Sequence, residues 1–349
     1  MKCLSLFANI GVGNAYAEEM GVEIVVANEI DASRCKVYKQ IYPNTDVISG
    51  DITKSDVQNH VTERSLALDV QLIFATPPCQ GFSTLNSKNK NDSRNSLVYD
   101  FCKVVNNIKP KYMMLENVPR IMQYKIEGKY ITDILTELLP DYSFVNSILD
   151  AKNFDTPQTR RRAIFLFTKK GEKKWDFTLS NVCNKIISLR DAIGSFPSLE
   201  SGEDKSDWHR WHFAQKHSEN HIIWMKNTPT GKSAFENKLH YPSVIEDGKK
   251  RKIKGYLNTY KRMEWDQPAP TLIKGCTMIS SSNTVHPGRP LPDGLYSDSR
   301  TLSVYEAMII MGLPCDWMLP SCVKYRDAIS YLGEGICPKL VKSLLSSLP

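Results

Sequence analysis

The 349-residue sequence predicts an α/β fold with a second, smaller and irregular domain. Short apolar runs alternate with longer amphipathic stretches over the first 170 residues, which indicates strands alternating with helices. After residue 180 this alternation stops, and Trp, His and basic residues become dense. The chain also exceeds the length at which one core usually stops growing, so two lobes are expected.

Six apolar runs have the length and composition of buried strands in a parallel sheet that helices cover on both faces. The runs are CLSLF (3–7), EIVVAN (23–28), VQLIFA (70–75), KYMMLE (111–116), FVNSIL (144–149) and AIFLFT (163–168). A further strand is expected before Asp51, and helices are expected over 32–42, 96–108 and 130–139. Ligands bind at the carboxyl ends of the strands in such sheets.

We predict that residues 1–180 and 325–349 form the sheet domain, and that residues 181–324 form the irregular domain. The segment RDAISYLGEGICPKLVKSLLSSL (326–348) ends in a helical pattern, and we expect it to pack back on the sheet domain.

Charge and cysteine content restrict the class of protein. The net charge of +7 is mild, but KKRKIK (249–254) and SKNKNDSRNS (87–96) are local basic runs of the kind that a phosphate backbone attracts. The nine cysteines include no CxxC pair, and no histidine stands at ligand-like spacing from one, so neither disulfides nor a metal site is expected. No apolar run reaches membrane-spanning length. These features predict a cytoplasmic protein, and we expect a monomer.

The carboxyl ends of the first three strands carry residues that suit a nucleoside. Gly11 and Asn9 lie in a turn after the first strand, where a positive φ is tolerated. Glu29 follows the second strand and can accept ribose hydroxyls, while Asp51 follows the third. The acidic end of NAYAEE (14–19) suits a cationic or zwitterionic cofactor better than a pyrophosphate. An adenosyl-type cofactor is therefore expected.

The fourth strand delivers Cys79 within TPPCQ, where two prolines stiffen the turn and would hold a nucleophile in place. Glu116 and Asn117 end the next strand and should emerge beside it. The polar, basic segment 81–96 has the composition of a lid that could close on a polyanion. An isolated cysteine at a strand end is more often a structural thiol.

Arginines enter the strand that begins within QTRRRAIFLF (158–167). Alternation places Gln158, Arg160 and Arg162 on one face and Arg161 on the other. Because an unpaired buried arginine is costly, these side chains should meet carboxylates, phosphates or carbonyl oxygens.

In their order along the chain, these blocks resemble the signature sequences of the DNA cytosine-C5 methyltransferases. The similar segments are LFANIGVG, NEID, GDI, PPCQGFS, ENV, QTRRRAIF, YKRMEWDQPAPTL (260–272) and HPGRPL with SRTLSVYEAMIIMGLP (286–314). The similarity covers nearly the whole chain except about 181–255. It implies a Rossmann-like, S-adenosylmethionine-dependent methyltransferase fold whose second domain recognises the DNA target.

The resemblance also implies residue roles. Cys79 would attack C6 of cytosine, Glu116 would hold and protonate N3, and Arg162 would contact the base carbonyl oxygen with Arg160 nearby. S-adenosylmethionine, which leaves as S-adenosylhomocysteine, would be bound by Phe7, Asn9, Gly11, Glu29, Ile30, Asp51, Ile52, Pro78, Leu97 and Glu334. Double-stranded DNA would be contacted by Gln80, Ser83, Arg94, Gln158, Arg251 and Lys252.

Two segments depart from the usual family pattern. The family usually has F-x-G-x-G-G after the first strand, whereas this chain has Asn9 at the first of those glycines. Near the end, Glu334 replaces the usual asparagine in LGEGICP. Its carboxylate could pair with the cofactor or could turn to solvent.

Several functions are compatible with these patterns. The first is a sequence-specific DNA methyltransferase, paired with a restriction endonuclease that acts on the same site. The others are a transfer-RNA methyltransferase of the same fold, an inactive DNA-binding module, and an oxidoreductase with a redox cysteine. The segment DWHRWHF (207–213) is a candidate for reading DNA, but its tryptophans are better explained as core residues of the second domain.

Overall fold

A computed structural model describes residues 1–78, 97–178, 185–282 and 284–349. Its centre is a seven-stranded sheet in the order β3-β2-β1-β4-β5-β9-β8, accompanied by two small hairpins, β6-β7 and β10-β11. The strands are β1 (Lys2–Leu6), β2 (Glu23–Glu29), β3 (Asp46–Ser49), β4 (Leu72–Ala75), β5 (Tyr112–Asn117), β6 (Lys125–Ile126), β7 (Lys129–Tyr130), β8 (Tyr142–Asp150), β9 (Arg161–Lys169), β10 (Ser243–Glu246) and β11 (Lys249–Lys252).

The predicted strands are confirmed, but the expectation of a wholly parallel sheet is wrong for one of them. Strand β9 runs antiparallel to both of its neighbours, β5 and β8, whereas β1 to β5 pair in parallel. Residues 151–160 join β8 to β9. That connection is too short for the crossover of a dozen or more residues that a parallel pair requires.

Helices cover both faces of this sheet and also occur in the irregular segment, where Trp224 and Met225 of one helix form a separate small core with Val285. The helices are α1 (Ala32–Ile41), α2 (Ser55–Ala67), α3 (Leu97–Ile108), α4 (Ile131–Leu138), α5 (Leu189–Ile193), α6 (Glu219–Lys226), α7 (Val304–Met311), α8 (Tyr325–Glu334) and α9 (Pro338–Leu345). Asp31 starts α1 by accepting hydrogen bonds from the amides of Ser33 and Arg34. Among the described residues, no helix has both the length and the apolar character needed to cross a membrane.

Alternate side chains of the strands feed two apolar cores. On one face, Ile73 and Phe165 pack with Phe101 of α3 and Ile134 of α4. On the other face, Phe74, Met114 and Leu166 share a core with residues far along the chain, which include Met263, Trp265, Val304, Leu332 and Leu340. The C-terminal segment therefore packs on the sheet as predicted, because α8 and α9 supply part of this core. The boundaries near residues 180 and 325 stay a prediction.

Buried arginines organise the irregular segment, which has little regular sheet to satisfy its backbone. Arg262 is fully buried and donates hydrogen bonds to the carbonyl oxygens of Met225, His286, Ser297 and Asp298. Each of these contacts satisfies a carbonyl that a β-ladder would otherwise pair.

A second buried arginine binds two carboxylates in the same segment. Arg300 is fully buried and forms ion pairs with Asp298 and Glu306, both of them buried. Charge pairing thus replaces sheet hydrogen bonds as the framework of this part of the fold.

Candidate active site

A cavity of 1070 Å³ opens at the carboxyl ends of β1, β2, β4 and β5. Its wall combines the loops after these strands with the segments 271–275 and 333–336. The cavity therefore lies at the sheet edge where the sequence placed a ligand.

Two backbone amides hold the carboxylate of Glu29 in this wall. The amide of Asn9 donates to Oε2 at 2.8 Å, and the amide of Asp31 donates to Oε1 at 3.0 Å. Glu29 is buried, and each oxygen keeps a lone pair that can accept a hydroxyl proton. Asp51 lines the same cavity and is oriented by the amide of Thr53 at 3.0 Å.

Nine of the ten predicted cofactor residues line the cavity. They are Phe7, Asn9, Glu29, Ile30, Asp51, Ile52, Pro78, Leu97 and Glu334. Gly11 does not line it, because its α-carbon faces two tyrosines. A Cβ added there would lie 2.4 Å from the ring of Tyr42, and the backbone has φ of +78°. Packing against Tyr38 and Tyr42 therefore requires this glycine, independently of any ligand.

Glu116 and Arg162 form an ion pair in the cavity wall, with Nε and Oε1 2.7 Å apart. The antiparallel register of β5 and β9 pairs Glu116 with Ile164, so Arg162 lies diagonally across on the same face. Arg161 is exposed on the other face, as alternation predicted. The pair is nearly buried, with side-chain exposures of 10% and 13%, and so a carboxyl and a guanidinium are held ready for a polar ligand.

The end of β4 lies beside this pair. Pro77 and Pro78 line the cavity, and the side chain of Asn117 donates to the carbonyl of Pro77 at 3.3 Å. The predicted nucleophile Cys79 follows directly in the chain and lies outside the described residues, as do Gln80, Ser83 and Arg94.

Arg160 and Gln158 hold distant segments together. The guanidinium of Arg160 is buried at the cavity wall and donates to the carbonyl oxygens of Leu272, Gly333 and Gly335 at 2.7, 2.9 and 2.7 Å. These contacts connect three distant segments of the cavity wall, and the catalytic role of Arg160 stays a prediction.

Gln158 is fully buried. It donates to the carbonyl of Ile310 and accepts from the amide of Leu272. Its burial contradicts the predicted contact with DNA.

Glu334 is half-buried and paired with two cations. Its Oε2 lies 2.5 Å from Nη2 of Arg34, and its Oε1 lies 3.2 Å from Nζ of Lys274. Both cations line the cavity, yet sequence reasoning missed them. No local pattern marks them, because their partner lies far away in the chain.

The basic run that begins at residue 249 forms strand β11 of an exposed hairpin. The hairpin register puts Val244 opposite Arg251 and Ser243 opposite Lys252, so Arg251 and Lys252 lie on opposite faces. Arg251 forms an ion pair with the exposed Glu246 at 2.8 Å. Lys252 donates to the carbonyl of Phe235 at 2.8 Å and is therefore engaged within the fold.

The segment 207–213 splits between the two expected roles. Trp211 and His212 are buried, whereas Trp208 is 46% exposed. Part of this segment is therefore core, as the tryptophan content suggested. Among the described residues, no group of three or more His, Cys, Asp or Glu could hold a metal ion.

Comparison with known proteins agrees with this geometry. A sequence model of the C-5 cytosine-specific DNA methylase family matches residues 1–349. The Type II methyltransferase M1.HgaI of Avibacterium volantium is 40% identical and is aligned over 98% of this chain and 96% of its own length. The Type II methyltransferase M1.HphI of Haemophilus parahaemolyticus is 26% identical over 99% of this chain and 86% of its own.

Solved structures share the fold. A proposed DNA modification methyltransferase encoded within an E. coli prophage superposes with a TM-score of 0.74 at 17% identity, covering 100% of this chain and 98% of that one. The S. pombe Dnmt2 methyltransferase superposes with a TM-score of 0.63 at 18% identity, covering 100% and 98%. The complete match to the family model and the 40% identity over nearly the full length show that the chain belongs to the C-5 cytosine-specific DNA methylase family.

Proposed function

We propose that this protein transfers a methyl group from S-adenosylmethionine to C5 of a cytosine that is flipped out of double-stranded DNA, through a covalent adduct on Cys79. The observation that carries the proposal is one cavity that holds the Glu116–Arg162 pair, the Pro77–Pro78 turn and the acid at Glu29. The residues proposed to bind the target base and those proposed to bind the nucleoside of the cofactor therefore line the same cavity.

The cavity residues fit the proposed methyl donor. Glu29 and Asp51 offer acceptors for ribose hydroxyls and an adenine amino group, and the apolar Ile52 and Leu97 line the same space. Asn9 Oδ1 is a buried acceptor without a hydrogen-bond partner in the described structure, which suits an N–H or O–H donor on a ligand. When bound, the donor supplies an electrophilic methyl group on a sulfonium sulfur.

The chain's own residues then account for the chemistry at the base. Addition of the Cys79 thiolate to C6 forms an S–C6 bond and moves the C5–C6 π electrons onto C5, which makes C5 nucleophilic. Glu116 holds a proton at N3 to neutralise the developing charge, while Arg162 orients Glu116 and contacts the base carbonyl oxygen. After methylation, loss of the C5 proton to water restores the double bond and expels the thiolate.

The cytosine must leave the base stack to reach Cys79, at a cost of a few kcal/mol that protein–DNA contacts offset. Phosphate contacts from basic residues would position the duplex, and Arg251, which lies on the fully exposed strand β11, is a candidate for such a contact. Because the relatives are named Type II methyltransferases, we propose that a restriction endonuclease shares the recognition sequence. We expect a cytoplasmic monomer.

Incubation with labelled S-adenosylmethionine and either duplex DNA or transfer RNA tests the substrate. We expect label at C5 of cytosine in duplex DNA only. Label confined to transfer RNA would assign the chain to an RNA-modifying branch of the fold, and label in neither would indicate an inactive DNA-binding module.

Two substitutions test the mechanism. Cys79→Ala should abolish transfer while S-adenosylhomocysteine still binds, because the nucleophile is lost and the cofactor wall is kept. Glu116→Gln should lower the single-turnover rate by about 10²-fold or more, since general acid–base catalysis typically contributes that much. Methyl transfer by the Cys79→Ala protein would refute covalent catalysis.

A further inference from the structure

The end of helix α8 is fastened to the first strand–helix unit by two side chains, Asn9 and Glu334. Asn9 Nδ2 donates to the carbonyl of Tyr331 at 2.8 Å, and Glu334 pairs with Arg34 of α1 at 2.5 Å. The guanidinium of Arg34 also lies 5.2 Å from the centre of the Tyr331 ring. The two attachments therefore meet at a single turn of α8, in the wall of the cavity.

Asn9 has a fixed side-chain orientation. Its backbone is left-handed, with φ of 51°, a conformation that asparagine tolerates better than most residues. The Tyr331 carbonyl lies in the last turn of α8 and accepts from the amide of Gly335 at 3.2 Å, and the side-chain amide of Asn9 supplies its second and shorter hydrogen bond. The donor must face that carbonyl, so Oδ1 must face away from it.

Glu334 stands where a helix disfavours an acid. Negative charge in the last turn opposes the helix dipole, which costs roughly 0.3–1 kcal/mol at an exposed site. Here Arg34 and Lys274 offset that charge, and they come from α1 and from the segment 271–275. The carboxylate thus joins three parts of the cavity wall.

Gly333 shows how closely these parts approach. A Cβ at Gly333 would lie 2.5 Å from the carbonyl carbon of Ile273, so the turn of α8 rests directly on the backbone beside Lys274. A small shift of α8 would therefore move the segment 271–275 and change the shape of the cavity.

We propose that Asn9 and Glu334 are positioning residues that act as one clasp, which holds the end of α8 in the position that binds the methyl donor. Glu334 then acts through Arg34 and Lys274 and not by touching the donor. The inference rests on the proposed function, because it assumes that the cavity binds S-adenosylmethionine. It gives the two departures from the family pattern, at Asn9 and Glu334, one shared structural role.

Calorimetric titration with S-adenosylhomocysteine tests the clasp in Asn9→Gly, Asn9→Asp, Glu334→Gln and the Asn9→Gly/Glu334→Gln double variant. Each of the Asn9→Gly and Glu334→Gln proteins should bind about tenfold more weakly, the expected effect of one lost charge-assisted or capping hydrogen bond. The double variant should lose much less than a hundredfold, because the second change removes a support that the first has already released.

The Asn9→Asp variant separates the clasp from a simple ligand contact. Aspartate keeps an acceptor and tolerates a left-handed backbone, but it cannot donate to the Tyr331 carbonyl. We expect it to bind at least as weakly as Asn9→Gly. Glu137→Gln, which removes an exposed glutamate that pairs with Lys129, is the matched control and should bind as the unchanged protein does.

Three results would overturn the clasp. They are unchanged affinity in Glu334→Gln, a full hundredfold loss in the double variant, and near-normal affinity in Asn9→Asp. Melting temperatures recorded without ligand complete the test: a variant that melts earlier yet binds normally would show only a structural role and would also reject the clasp. Failure of the unchanged protein to bind S-adenosylhomocysteine would instead refute the proposed function.

Discussion

Replacement of Arg300 by methionine should destabilise the irregular segment strongly, because it leaves a buried carboxylate without its cation. The guanidinium of Arg300 donates to both oxygens of Glu306, at 2.7 and 2.9 Å, and to Asp298 at 3.0 Å. Asp298 keeps a second cation, Arg289, at 2.8 Å. Glu306 keeps the amide of Ser303 but loses its arginine.

The expected loss of unfolding free energy follows from the buried charge that Glu306 would carry without Arg300. Burial alone would raise the pKa of Glu306, but Arg300 lowers it to about 2. Removing one partner of a buried ion pair costs roughly 3–5 kcal/mol. Unfolding entropy near 2.1 cal/mol/K per residue gives about 0.7 kcal/mol/K for a chain of this length, so the melting temperature should fall by about 4–7 °C.

Thermal and urea unfolding at pH 7.5 measure the effect, with two further variants as comparisons. Arg289→Met should cost less than Arg300→Met, because the Arg289 side chain is 29% exposed and Asp298 retains Arg300. Adding Glu306→Gln to Arg300→Met should recover stability, since no buried charge then lacks a cation at that position. Equal stability of Arg300→Met and the unchanged protein, or no recovery in the double variant, would refute the reasoning.

Two other predictions concern the second lobe. Arg251→Ala should weaken DNA binding and reduce, by about 1, the steepness with which the logarithm of the DNA-binding constant falls with the logarithm of the salt concentration. Lys252→Ala should leave that slope nearly unchanged, because Lys252 donates to a carbonyl within the fold. Filter binding at several salt concentrations measures both slopes. Burial lowers the pKa of His286 from its ordinary 6.5 to about 3, so below pH 6.5 the unfolded chain binds a proton that the folded chain excludes. His286 alone should therefore lower the stability by about 1 kcal/mol between pH 7.5 and pH 5.5, and His217, whose pKa burial lowers to about 4, should add a loss of similar size. Urea unfolding at the two pH values measures the difference, which His286→Gln should reduce; a pH-independent stability would contradict the reasoning.

The strands were predictable because their signal is local. Apolar runs such as LIFA (72–75) and YMML (112–115) are uninterrupted, and α3 and α4 carry apolar residues at a helical period. The direction of β9 was missed because the predicted runs ended at residue 149 and resumed at residue 163, which leaves room for a parallel crossover, whereas the longer observed strands leave only residues 151–160 between them.

The site residues likewise divide into those that a local pattern predicts and those whose role depends on distant parts of the chain. Strand order alone placed Glu116 beside the end of β4, and alternation put Arg162 on its face. The roles of Arg160 and Gln158 depend on Leu272, which lies more than 100 positions away. Nothing near either residue in the sequence indicates which carbonyl or amide it will meet.

The hydrogen bond from Asn9 to Tyr331 joins residues 322 positions apart, and this separation has a consequence in time. Chains grow at roughly 5–20 residues per second, so on the order of 15–60 s pass between synthesis of the two walls of the cavity. During that interval β1 and its loop exist without the helix that completes the site. The cavity described above is therefore complete only after α8 has been made.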